Sequence, residues 1–250
     1  MAEAKEGKKD AKAKESGYDF LKHGLSEYPL PTRCVYAFVA FVIWIFMSIV
    51  YPSQIEGVER IKERVAKSGK GDMIVMNHTS MVEPVVFIVA LWRAGVPVRM
   101  LYKREFEKMG AAKWLFRRMG GIPIDRGTAD LKALKSCRDA LNRGECMLVY
   151  PEGTRIKSDD QEVQIHGGFA MIAQMAKADV IPSAVVGAAD PYKTRKTLRR
   201  HSKIRVGEPI KFDELAGESR KEKLAEMERV AVERMYAIRD ELRKENPSLW

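Results

Sequence analysis

A chain of 250 residues, 46% of them hydrophobic, can bury one α/β-sized core, and its length excludes a pair of ordinary domains. Its 44 Lys and Arg against 34 Asp and Glu give a net charge of +10, which points to an anionic partner: nucleic acid, an anionic lipid surface or a phosphorylated small molecule. Cys34, Cys137 and Cys146 are odd in number and show no Cys-x-x-Cys spacing, and His23, His78, His166 and His201 show no metal-binding spacing, so neither a disulfide scaffold nor a metal site is indicated and a reducing compartment is expected.

Residues 1–16 are almost entirely Ala, Lys, Glu, Asp, Gly and Ser, and read as a disordered charged leader without the pattern of a signal peptide. Residues 17–52 read as an N-terminal membrane-associating helical segment. Its centre, Val35 to Tyr51, is apolar except for Ser48 and sits at the lower edge of bilayer-spanning length. Membrane contact is expected, either as a single span or lying in one leaflet; a buried core helix is the alternative. Flanking charges are balanced and give little help with orientation. With the cysteine pattern, the reading is a protein at the cytoplasmic face of a membrane. Because the segment lies outside the pattern that follows, it is expected to be separable from the folded core.

From residue 53 to 250 the chain alternates in the manner of one α/β domain. Strands are predicted at Met73 to Met76, Val98 to Tyr102, Gly121 to Ile124, Met147 to Tyr150, Val180 to Val186 and Ile204 to Val206. Helices are predicted at Val58 to Lys67, Val85 to Ala94, Ala111 to Arg118, Ala129 to Asn142 and Gly168 to Lys177, with an amphipathic helix from Ser219 to Lys244 packed on the domain. The fold class is α/β: a largely parallel central sheet flanked by helices, preceded by the apolar helix.

Two strings carry the chemistry. In Asn77-His78-Thr79-Ser80-Met81-Val82-Glu83 a histidine precedes a carboxylate by five residues. Five residues of regular helix turn the chain by about 500°, so the two cannot share a helix face. The geometry that joins them puts His78 in the loop after strand Met73 to Met76 and Glu83 in the first turn of the next helix. His78 would then be a general base whose tautomer Glu83 fixes. Ser80-x-x-Glu83 also has the capping-box pattern, which would make Glu83 a helix cap. The second string, Tyr150-Pro151-Glu152-Gly153-Thr154-Arg155, follows a predicted strand; Gly153 permits an unusual turn, and Arg155 can engage phosphate oxygens bidentately. Together the two strings suit acyl transfer onto the hydroxyl of a phosphorylated acceptor, and with no Gly-x-Ser-x-Gly elbow present direct transfer is preferred to a covalent acyl-enzyme.

Four segments in order and spacing, Asn77 to Glu83, Gly120-Gly121-Ile122-Pro123-Ile124-Asp125-Arg126, Tyr150 to Arg155 and Val180-Ile181-Pro182, resemble the signatures of the glycerolipid acyltransferase family, most closely its lysophosphatidic acid acyltransferases. The family's usual acid is Asp, so Glu83 is a departure, as is Tyr150 for Phe. The resemblance implies a 1-acyl-sn-glycerol-3-phosphate O-acyltransferase that forms phosphatidic acid, with His78 and Glu83 catalytic. It further implies glycerol phosphate binding by Arg126, Glu152, Gly153, Thr154 and Arg155, and phosphate binding by Lys103 of a Lys-x-Glu element. The acyl donor would be an acyl-CoA or acyl carrier protein thioester, with no resident cofactor. A sibling acylating glycerol 3-phosphate or another lysolipid, or a non-catalytic membrane-binding relative, are the alternatives. The basic run Lys193, Arg195, Lys196, Arg199, Arg200, Lys203 and Arg205 has only Tyr192 as an aromatic, which disfavours nucleic acid and favours lipid headgroups or donor phosphates.

Overall fold

In a computed structural model of the chain, which describes residues 18–125, 130–158, 160–187 and 201–249, the expected alternation folds into one seven-stranded sheet with helices on both faces. The leader at residues 1–16 lies outside the described residues. The elements run α1 (Leu30–Val50), β1 (Ser53–Glu56), α2 (Val58–Ser68), β2 (Met73–Met76), α3 (Glu83–Arg93), β3 (Val98–Lys103), α4 (Gly110–Arg118), β4 (Ile122–Ile124), α5 (Leu131–Asn142), β5 (Cys146–Val149), α6 (Gly168–Ala176), β6 (Val180–Val186), β7 (Ser202–Val206) and α7 (Arg220–Glu245).

Strand order is β1-β7-β6-β2-β5-β3-β4. The five strands from β6 to β4 are parallel, and β7 joins β6 antiparallel with β1 parallel to β7 on the edge. Every residue of β2, β5 and β6 is buried, as expected for parallel strands covered on both faces. β1 was not legible: Ser53-Gln54-Ile55-Glu56 has one apolar residue, and as an edge strand it needs no second apolar face. Two apolar layers hold the sheet. One packs Met73, Val75, Met147 and Val180 against α5, α6 and α7; the other packs Ile74, Met76, Leu148 and Ile181 against α2 and α3. Each fully buried aliphatic side chain contributes about 1.5–3 kcal/mol relative to exposure.

Helix α1 begins five residues before the predicted apolar stretch, with Pro31 in its first turn. Only Thr32 and Ala40 of its 21 residues are buried, which overturns the core-helix alternative. An inward stripe packs on α3 and the second apolar layer through Met47 and Val50, while Phe38, Phe46 and Ile49 stand 67%, 55% and 65% exposed on the other side. A large apolar face left bare along an entire helix is a membrane-associating surface.

The N-terminal segment, expected to be separable, is hydrogen-bonded to the core through residues 20–25. Arg99 at the start of β3 is fully buried; its guanidinium pairs with Glu145 at 2.9 Å and donates to the carbonyls of Phe20 and His23 at 3.2 and 2.5 Å. Glu145 in turn accepts the Leu25 N–H at 2.7 Å. Residues 20–25 therefore satisfy hydrogen bonds of a buried ion pair at the amino-terminal end of the strands, the end opposite His78. A buried charge left without its partners is strongly destabilising.

Candidate active site

Both chemical strings fall at the carboxyl ends of the parallel strands, where open α/β sheets hold their ligands. Strand β2 ends at Met76, and the buried side chain of Asn77 takes over its ladder: the amide donates to the Val185 carbonyl at 3.1 Å and accepts the Val185 N–H at 2.8 Å. The main chain is thereby released from the sheet at the next residue. His78 turns out of the strand and keeps 16% of its side chain exposed.

Glu83 is the first residue of α3, and its carboxylate is fully buried. Oε1 lies 2.6 Å from His78 Nδ1 and accepts the Thr79 N–H at 2.7 Å; Oε2 accepts the Ser80 N–H at 2.6 Å and the Ser80 hydroxyl at 2.5 Å. The orienting contact is present, and of the capping box only the reach-back to Ser80: the residue that caps α3 is Val82, with no side-chain cap bond. The reach-back to Ser80 ties the loop to the helix, and the remaining lone pairs hold the imidazole. With Nδ1 engaged by a carboxylate, the ring carries its proton there and leaves Nε2 as the basic nitrogen.

The second string grips His78 by its main chain. Glu152 is buried, its Oε2 accepting the His78 N–H at 2.6 Å and its Oε1 the Tyr236 hydroxyl of α7 at 2.8 Å. Burial pushes its carboxyl above the usual value, against the pull of those two donors. On the other side of His78, its carbonyl accepts the Ile156 N–H at 2.7 Å. The Tyr150 ring lies against the imidazole, centroids 4.4 Å apart. Its hydroxyl is buried and, among the described residues, has no hydrogen-bond partner. Burial, with Glu83 and Glu152 nearby, drives that phenol well above its ordinary value.

Gly153 takes φ +63°, and a Cβ there would stand 2.6 Å from the ring of His166, so the imidazole of His166 lies directly on the turn. Thr154 is exposed and Arg155 part-exposed at the mouth of the loop. Glu152 differs from these two in facing inward. Lys103 ends β3 half-exposed, 3.3 Å from Glu105. The Asp125 carboxylate meets Arg104 at 2.6 Å. Arg126 lies outside the described residues, as do Lys193, Arg195, Lys196, Arg199 and Arg200. Lys203 and Arg205 do not form the expected anion-binding face: Lys203 meets Glu56 at 2.9 Å, and Arg205 meets Glu56 and Glu245, each at 2.7 Å.

Tyr236, Asn77 and His166 are parts of this site that sequence reasoning left without a role. Tyr236 sits among the apolar positions of an amphipathic helix, where it reads as packing. Asn77 offered a signal, as an amide directly after an all-apolar strand.

A histidine–carboxylate pair beside a Glu-Gly-Thr-Arg turn, at the carboxyl edge of a mostly parallel sheet, is the equipment of an acyl-transfer enzyme. The chain belongs to the Acyltransferase family, whose model matches residues 53–186. It is 25% identical over 189 residues to the 1-acyl-sn-glycerol-3-phosphate acyltransferase of Bacillus subtilis (strain 168), covering 74% of this chain and 90% of that protein. It is 28% identical over 194 residues to the chloroplastic 1-acyl-sn-glycerol-3-phosphate acyltransferase LPAT1 of Arabidopsis thaliana, covering 74% of this chain and 52% of that one. In fold it is similar to the 1-acyl-sn-glycerophosphate acyltransferase PlsC of Thermotoga maritima, with a TM-score of 0.60 at 20% identity over 88% of this chain and 82% of that one.

Proposed function

We propose that this chain is a membrane-associated 1-acyl-sn-glycerol-3-phosphate O-acyltransferase, moving an acyl group from an acyl-CoA or acyl carrier protein thioester to the free hydroxyl of lysophosphatidic acid. The observation that carries the chemistry is the 2.6 Å contact of His78 Nδ1 with a buried carboxylate. Nε2 of His78 takes the hydroxyl proton as the acceptor oxygen attacks the thioester carbonyl, and Glu83 stabilises the imidazolium that forms. The tetrahedral intermediate collapses with cleavage of the C–S bond, and the departing thiolate takes that proton back. No enzyme-bound acyl group and no resident cofactor are needed. Arg155 and Thr154 at the loop mouth, together with Lys103 and Arg126, hold the acceptor phosphate. The names of the relatives support this acceptor, and the +10 charge suits a phosphorylated one.

Helix α1 lies in the cytoplasmic leaflet in the plane of the membrane. Its packed stripe runs from Thr32 to Val50, so upright insertion would carry the α/β domain into the bilayer with it.

The full chain in detergent, given oleoyl-CoA and a panel of lysophosphatidic acid, glycerol 3-phosphate and lysolipids lacking the phosphate monoester, tests the reading. Acylation of lysophosphatidic acid above the others is expected, with turnover lowered by about two orders of magnitude or more in His78→Ala. An unaffected His78→Ala, or preference for another acceptor, would overturn it.

A further inference from the structure

Among the described residues outside α1, seven large apolar side chains stand exposed, and six of them lie on the connections that follow β2, β3 and β4: Met81, Phe106, Met109, Trp114, Leu115 and Leu131. Four of the six are concentrated on α4 and the 3-10 turn Arg104–Lys108 before it. Met109 is 62% exposed, Trp114 47%, Phe106 42% and Leu115 38%. Within α4, Gly110, Ala111, Trp114 and Leu115 are the exposed positions, so the outward side of this helix is apolar throughout, and none of its residues is buried. A soluble surface would carry its charges there.

The charges are instead on the rim. Between Lys103 and Arg118 six cations stand against two carboxylates. Arg104 and Arg117 are committed to Asp125, Asp130 and Glu107, while Lys108 and Lys113 flank the apolar face. Tryptophan with a basic surround is the pairing suited to the boundary between acyl chains and anionic headgroups. The face is also continuous with the segment that leads into α1: the Arg118 guanidinium lies 4.4 Å over the Trp114 ring and 5.5 Å over Phe20, which packs edge-on against Tyr28 two residues before that helix.

We propose that α4 and its preceding turn form a second membrane-docking surface, placing Phe106, Met109, Trp114 and Leu115 at the acyl boundary of an anionic leaflet with Lys108 and Lys113 among the headgroups. Two separated contacts fix the tilt of the domain where one helix alone would leave it free to roll. Phe106 and Met109 follow the carboxyl end of β3, on the sheet edge where His78 follows β2, while Trp114 and Leu115 lie on the helix that runs back toward the start of β4. The docking holds whichever acceptor the site uses, because its readout is position against a bilayer.

The test uses the full chain with Trp114 as the sole tryptophan, Trp44, Trp92 and Trp250 being changed to Phe, reconstituted by detergent dilution with phosphatidylcholine vesicles with or without phosphatidylglycerol. Trp114 emission should shift to the blue and be quenched by brominated acyl chains, more strongly with the anionic lipid. In the native tryptophan background, Trp114→Asp with Leu115→Asp should weaken vesicle partitioning about tenfold or more with the thermal melt unchanged, since both side chains are exposed in the free protein. Lys108→Glu with Lys113→Glu should remove the preference for phosphatidylglycerol. Trp114 emission that vesicles leave unshifted and unquenched, while α1 still holds the protein on them, would overturn the proposal. A blue shift that needs no vesicles and grows with protein concentration would also overturn it, by assigning the face to a second copy of the chain.

Discussion

Glu152 accepts the backbone N–H of His78 at 2.6 Å, so the third sequence signature holds the first by its main chain and not through any substrate. The other oxygen of the same carboxylate is occupied by the Tyr236 hydroxyl at 2.8 Å, which extends the hold to the C-terminal helix. Tyr236→Phe removes one neutral donor from this chain and should lower stability by about 1 kcal/mol. Turnover should fall severalfold with little change in either KM, because what is disturbed is the aim of His78. A variant altered only in KM would place Tyr236 in a binding role instead.

The same carboxyl gives a pH dependence of defined sign. Burial raises Glu152 above its usual value of 4.5, so the folded protein keeps this proton to higher pH than the unfolded chain does. Stability from that difference is fully present below the usual value and is lost as the pH climbs through the raised one. The melting temperature of the wild-type chain, taken relative to that of Glu152→Gln, which cannot titrate, should therefore fall as the pH rises from acid toward neutrality. A relative melting temperature that rises with pH would reverse the assignment of burial as the dominant influence.

Tyr150 stands where the family's signature has Phe, and its hydroxyl is buried without a hydrogen-bond partner among the described residues. An unsatisfied buried hydroxyl costs about 1–3 kcal/mol. Tyr150→Phe keeps the ring against His78 and should raise stability by about 1 kcal/mol without lowering turnover. Loss of activity in this variant would mean that the hydroxyl takes part in the reaction.

The buried pair of Arg99 and Glu145 changes how the N-terminal segment should be tested. Removing residues 1–52 would strip the Phe20 and His23 carbonyls from the guanidinium and should lower stability by about 1–3 kcal/mol in a denaturant melt; Arg99→Ala would leave the buried Glu145 with Arg143 at 3.0 Å and should cost about 3–5 kcal/mol. Phe38→Glu with Phe46→Glu changes only exposed positions of α1. It should weaken sedimentation with vesicles while the melt stays in place.

Sheet, helices and the location of both motifs were legible because each rests on local pattern: all-apolar runs for covered strands, helical spacing between them, and a loop for His78 forced by the 100° turn per residue of a helix. What was not legible depends on contacts between distant parts of the chain. The ends of the buried Arg99 network are 79 residues apart at Phe20, and Tyr236 reaches Glu152 across 84. Arg99 within an apolar strand reads as a surface charge until the segment that satisfies it is folded on. Lys203 and Arg205 belonged to a basic run in sequence, but strand pairing puts Glu56 alongside them, and a run of like charge became a set of ion pairs.

Glu83 decides how far the cap and the catalytic pair can be separated. Its two oxygens receive the His78 ring, the Thr79 and Ser80 N–H groups and the Ser80 hydroxyl, all donors, so an amide at this position must turn its NH2 toward at least one of them. Glu83→Gln should therefore lose both turnover and about 1–3 kcal/mol of stability, and a melt on that variant alone cannot assign the loss. Ser80→Ala isolates the local part: it removes the hydroxyl that donates to Oε2 and accepts the Val82 N–H at 3.0 Å, leaving Oε1 on His78. It should cost about 1 kcal/mol of stability while turnover falls little. Glu83→Asp supplies the family's usual acid, one methylene shorter, on a backbone that reaches Ser80 and His78 with the longer one. It should keep part of the turnover of the wild-type chain and more of it than Glu83→Gln, because a charge remains to stabilise the imidazolium. Turnover in Glu83→Gln equal to that in Ser80→Ala would show that the carboxylate acts as a cap alone, and His78 would then need another partner.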